Sequence, residues 1–89
     1  MDTYNSIVAR ILGRINKSDT WAVTVNSKAT WYSHAEWFVD ERPAWRRHED
    51  KHKEQIRIDG LKFYFKYFWQ YLTKGYGNID YEIEARQAE

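Results

Sequence analysis

The stretch His48-Glu49-Asp50-Lys51-His52 sets two imidazoles four residues apart, with a carboxylate beside the first. On a helix, four residues rise about 6 Å and turn slightly past one revolution. Both rings then project from one face and can share a metal ion. Glu49 stands next to a ligand, where it can take a proton from an activated water. Hydrolytic metal sites use three protein ligands and keep one position open, so a third donor must come from another segment. The competing reading is plain: Arg-Arg-His-Glu-Asp-Lys-His-Lys-Glu over 46–54 is also the pattern of a solvated helix laced with ion pairs.

The elements that must hold these side chains follow from periodicity and breakers. Pro43 suits the first turn of a helix that runs through Ile56 and carries both histidines. Asp59-Gly60 then allows either a hairpin turn between 56–58 and 61–63 or a helix end followed by a second helix over 61–74. Eleven residues without a breaker are long for a strand, which favours the helix. Its expected core stripe is Leu61, Tyr64, Phe65, Phe68, Tyr71 and Leu72, with packing on the histidine-bearing helix. Upstream, Ile7, Val8, Ile11, Leu12 and Ile15 recur at three- and four-residue steps. They predict a helix over 3–17, capped by Asp2 or Thr3, with that stripe facing the core. Residues 20–33 alternate as a hairpin with a turn at Asn26-Ser27-Lys28. Lys74 to Asn78 reads as a loop, and 80–87 as a short helix. The fold class expected is α+β in a single domain over 1–89.

Composition narrows the function classes. Fourteen Lys and Arg against thirteen Asp and Glu leave a net charge of +1, far from the basic surplus that phosphate binding calls for. Trp21 and Trp31 could stack on bases, but cross-strand or core contacts explain them more simply. Nucleic acid is therefore not an expected partner. No apolar run approaches the length of a membrane span, and the first residues lack the order of a secretory signal, so the expectation is a cytoplasmic chain without a membrane partner. The absence of Cys removes disulfides, thiolate ligands and thiol nucleophiles together. Aromatic residues at 18% supply large rings for a small core.

His48-Glu49-x-x-His52 is the HExxH pattern of zinc metallopeptidases. Followed by Gln55, then Gly60-Leu61-Lys62-Phe63-Tyr64, then Gly75-Tyr76 and Tyr81-Glu82-Ile83-Glu84-Ala85, it resembles a family of very small gluzincin-type metallopeptidase domains. The resemblance covers about residues 43–86. It implies Zn²⁺ held by His48 and His52, with Glu49 as general base and a glutamate of the last segment as third ligand. Integral-membrane zincins place that glutamate three residues before an alanine, which makes Glu82 the first choice; thermolysin-like enzymes place it immediately before a small residue, which leaves Glu84 as the alternative. Asp50 and Lys51 depart from the family pattern, whose residues between the histidines are usually uncharged.

The resemblance implies a hydrolase acting on a peptide or protein substrate, with the 20–33 hairpin offering an edge strand to an extended chain. Gln55 is placed to buttress a ligand, Tyr76 to donate to an oxyanion and Arg86 to orient a glutamate. Arg46 and Arg47 are expected at the surface or on a carboxylate, and His34 in a structural role. The alternative from another class is a non-catalytic protein-binding module with a structural zinc or none.

Overall fold

The computed structural model describes residues 1–89. The chain forms α1 (Ile7–Ile15), a hairpin of β1 (Ala22–Asn26) and β2 (Ala29–Tyr32), α2 (Glu36–Asp40), α3 (Pro43–Asp59), α4 (Leu61–Lys74), a 3₁₀ turn (Tyr76–Asn78) and α5 (Asp80–Gln87). The α+β layout expected from the sequence is the one observed. No helix is long and apolar enough to cross a membrane.

Local chemistry accounts for the boundaries. Ser6, not Asp2 or Thr3, caps α1, its hydroxyl accepting from the Ala9 amide at 3.2 Å. The residues before it are drawn to the sheet instead. The amide of Thr3 donates to Thr30 and its carbonyl accepts from Tyr32, which covers the outer side of β2. At the hairpin turn the Asn26 side chain accepts from the Lys28 amide at 2.8 Å. Val25 lies at a break in the antiparallel register, between Thr24↔Thr30 and Asn26↔Ala29. Pro43 opens α3. Gly60, at φ 58°, is the single residue that separates α3 from α4, a backbone angle favouring glycine.

Helix α3 is central: it touches the hairpin, α2, α4 and α5. A small apolar core of Ile56, Phe63, Ile79 and Tyr81, with Tyr67 packed against it, lies where α3, α4 and α5 meet. Two hydrogen bonds from one side chain clamp the start of α5. Gln70 donates to the Asp80 carboxylate at 2.9 Å, and its carbonyl oxygen accepts the Asp80 amide at 2.8 Å.

Two apolar faces stand opposite to expectation. Helix α4 turns Phe63, Tyr67 and Gln70 inward, while Leu61, Tyr64, Phe65, Phe68, Tyr71 and Leu72 are all exposed and do not form the core stripe. The reason is polar: the bonds of Gln70 to Asp80 and of Tyr67 to Glu82 fix the rotation of the helix. Helix α1 likewise buries Ala9 and Gly13 and exposes Ile7, Val8, Ile11 and Ile15. Here size decides, because α1 approaches the chain at 18–21 closely. Trp21 and Trp31 do not pair across the hairpin; Trp31 is opposite Val23, and Trp21 packs on Tyr76.

The close approach gives a direct test. A Cβ on Gly13 would stand 2.9 Å from the Ser18 carbonyl oxygen and 2.9 Å from Trp21 Cβ. Overpacking of this kind costs about 1–3 kcal/mol, against the up to ~1 kcal/mol that alanine gains over glycine in a helix interior. Gly13→Ala should therefore lower the midpoint of thermal unfolding rather than raise it. An unchanged or higher midpoint would show that α1 does not sit this close.

Candidate metal centre

One face of α3 carries the site. His48, Glu49 and His52 each offer a ligand atom within 4.8 Å of the others, a group that can hold a metal ion. The imidazole rings of the histidines are 5.0 Å apart at 78°. From α5, the buried Glu82 reaches both: Oε1 lies 2.8 Å from His48 Nε2 and Oε2 lies 3.0 Å from His52 Nε2. The Tyr67 hydroxyl donates to Glu82 Oε2 at 2.6 Å.

Glu84, two residues on, points elsewhere. It accepts from Gln55 at 3.0 Å, lies 3.7 Å from Lys51 Nζ and is more than half exposed. Residues two apart on a helix diverge, so only one of the two glutamates can meet the histidines.

The other nitrogen of each histidine is also held. Gln55 uses its amide NH₂ on the Tyr81 carbonyl and on Glu84, both at 3.0 Å, so its carbonyl oxygen faces His52 Nδ1 at 2.8 Å and accepts from it. His48 Nδ1 donates to the Glu89 carboxylate. Each ring thus meets an acceptor at both nitrogens, as an imidazolium does; once Nε2 gives up its proton, the acceptor at Nδ1 keeps Nε2 aimed at the centre of the group. This is the arrangement by which outer partners fix the tautomer of a ligating histidine. The donor set of two imidazoles and carboxylates, oriented in this way, fits a divalent transition metal.

Glu49 is 5% exposed, and its Oε2 accepts from the Thr24 hydroxyl at 2.9 Å; Thr24 in turn pairs with the Thr30 hydroxyl at 2.8 Å. Glu49 Oε1 makes no hydrogen bond within the chain. Burial raises the Glu49 carboxyl to about 7 against the opposing pull of His52 and His48. For Glu82 burial pushes the same way, but hydrogen bonds from His48 and His52 win and hold it well below the usual carboxylate range. Burial would lower the His48 value, yet the bonds to Glu82 and Glu89 raise it to about 9. His52 moves in the same direction: burial opposes, and Glu82 prevails.

The site opens into a cavity of about 510 Å³ floored by β1, with Glu49, His52 and Glu82 in its wall. Trp21, Val23, Phe63, Tyr67 and Tyr76 make most of the lining apolar. No protein-family model matches this chain, and no curated protein or solved structure is significantly similar to it. The site's own geometry therefore carries its interpretation.

The remaining sequence candidates divide. Gln55 is in the site; Tyr76 lines the cavity against Trp21. Arg86 donates to the Gly77 carbonyl and orients no glutamate. Arg46 pairs with Asp40 and Asp2, and Arg47 donates to the Glu89 carbonyl. His34 stacks on Phe38 away from the site. Three participants carry no sequence signal of their own: Thr24, Tyr67 and Glu89. Each is a single common residue brought in from a different element.

Proposed function

We propose that this chain is a minimal zinc-dependent peptidase of the gluzincin kind, with His48, His52 and Glu82 as the metal ligands and Glu49 as the general base. The observation that supports this most is the convergence of both Nε2 atoms on one buried carboxylate, with each Nδ1 tied to its own acceptor. A merely solvated helix face would have no reason to bury His52, Glu49 and Glu82 together.

Zinc in such a site supplies Lewis acidity, activating water as a nucleophile and polarising the scissile carbonyl. The rest falls to the chain. Glu49, held at Oε2 by Thr24, receives the proton of the attacking water on Oε1 and passes it to the leaving amine nitrogen as the C–N bond breaks. Tyr67 keeps Glu82 in place through its hydroxyl, and Gln55 keeps His52 in place through its carbonyl. Tyr76, on the cavity wall, is the hydroxyl to donate to the carbonyl oxygen as it gains charge. β2 is covered by the segment at Thr3, whereas β1 has no strand on its outer side and lines the cavity. An extended peptide adds there as a third strand, with its bond over Glu49.

Elemental analysis of zinc-loaded, desalted protein should give about one equivalent per chain. A peptide library should then be cleaved with zinc and spared after chelation. Absence of bound zinc would overturn the assignment. One equivalent of zinc without cleavage of any peptide would favour a zinc-bearing binding module instead.

A further inference from the structure

The two apolar faces that the fold turns outward lie on the same cavity. Leu12 and Ile15 of α1 line one wall and Tyr64 and Tyr71 of α4 line another, so the exposed stripes continue the cavity's apolar lining onto its rim. On α4 the outward set is Leu61, Phe65, Phe68, Trp69 and Leu72, each more than 60% exposed. On α1 it is Ile7, Ile11 and Ile15, each more than half exposed.

Charge says what meets them. α1 and α4 carry Arg10, Arg14, Lys62, Lys66 and Lys74, five cations, and not one carboxylate. All thirteen acidic residues fall elsewhere, together with the other nine cations. A net charge of +1 thus conceals a strongly basic pair of helices on an acidic remainder. Arg14, Lys62 and Lys66 have no ion-pair partner, Arg10 donates to the Ser33 carbonyl and the Asn5 side chain, and Lys74 is 3.9 Å from Asp80. What sets α1 and α4 apart is that their cations accompany exposed apolar stripes with no carboxylate on either helix.

We propose that α1 and α4 together dock this protein on an anionic lipid surface, apolar stripes inserted at the headgroup boundary and flanking cations on the headgroups. Amphipathic helices that lie in a membrane interface combine these features, and Trp and Tyr favour that depth. Surface docking needs no spanning helix. A second copy of the chain fits the same face less well. A two-fold contact would bring the same unpaired cations against each other. Docking in this manner turns the mouth of the cavity toward the membrane. The inference is independent of the metal chemistry, since none of these residues touches the histidine site.

The test is flotation of the full chain with vesicles of pure phosphatidylcholine and of phosphatidylcholine with 30% phosphatidylglycerol, beside sedimentation equilibrium of the protein alone. The expected result is binding to the anionic vesicles, weaker in 0.5 M salt, and little binding to the neutral ones. Lys62→Glu with Lys66→Glu should lower partitioning by at least about tenfold. Phe65→Ser with Trp69→Ser should lower it by at least as much, with unchanged far-ultraviolet circular dichroism in both variants. These positions are exposed, so the fold should survive. Equal binding to both vesicle types would overturn the electrostatic part, and no binding would overturn the whole. A stable dimer that Phe65→Ser with Trp69→Ser dissociates, in a protein that ignores vesicles, would assign the face to a second copy.

Discussion

His52→Ala should weaken zinc binding by about 10³-fold, the effect of losing roughly a third of a binding energy on the scale of the ~10–16 kcal/mol of structural zinc sites. His48→Ala and Glu82→Ala should act similarly, because each removes one of three donors. Glu84→Ala should leave affinity nearly unchanged, since that carboxylate lies on Gln55 and Lys51. Gln55→Ala should fall between, at about 10–100-fold, because it frees the His52 ring without removing it. Competition titration against a chromophoric chelator reads the whole series. Equal losses for Glu82→Ala and Glu84→Ala would refute the choice of third ligand. The pH dependence has a defined sign. Ligating nitrogens must lose their protons, and Glu82 and Glu89 raise His48 to about 9, so zinc affinity should increase from pH 6 to pH 8.5.

Glu49→Gln should retain zinc at wild-type affinity and lose about 10²–10⁴-fold in peptide hydrolysis, the usual range for removing a general base. The amide has the same shape and can still meet the Thr24 hydroxyl, but it cannot accept the proton of the water. Burial makes the substitution mild for the fold, because a neutral side chain replaces one that burial already discourages from ionising. Zinc content, thermal midpoint and initial rate must be measured on the same preparation. Full activity in Glu49→Gln would remove it from the reaction. Loss of both zinc and activity would make it a ligand instead of a base.

What could be read from the sequence was set by local signals. Pro43 marked the start of α3, the lack of breakers after Gly60 gave α4 its length, and the four-residue spacing of His48 and His52 put both rings on one face. The orientation of α4 was hidden because apolar and aromatic residues occur all around it. Its inward face is selected by Gln70 and the Tyr67 hydroxyl, whose partners lie 10 and 15 residues away. In α1 the buried face is the small one, Ala9 and Gly13, which hydropathy does not rank as core. The short α2 had no periodicity to display. Within the site, only the family resemblance favoured Glu82 over Glu84, since the physical difference is the rotation of α5 about an axis that Gln70 clamps. Thr24, Tyr67 and Glu89 were invisible for the same reason: only the tertiary fold brings them to α3.

Half of the interior is polar: eight buried apolar residues are matched by eight buried polar or charged ones, among them Glu49, His52, Gln55, Gln70 and Glu82. In a larger protein a mutational scan separates into positions that hold the fold and positions that form a site. Here the two maps overlap, because Gln55 anchors α5 to α3 while steering His52, and Tyr67 packs on the core while gripping Glu82. Such a chain has few neutral routes through sequence space. Tolerance to substitution should be concentrated on its outward faces, leaving the interior almost without drift.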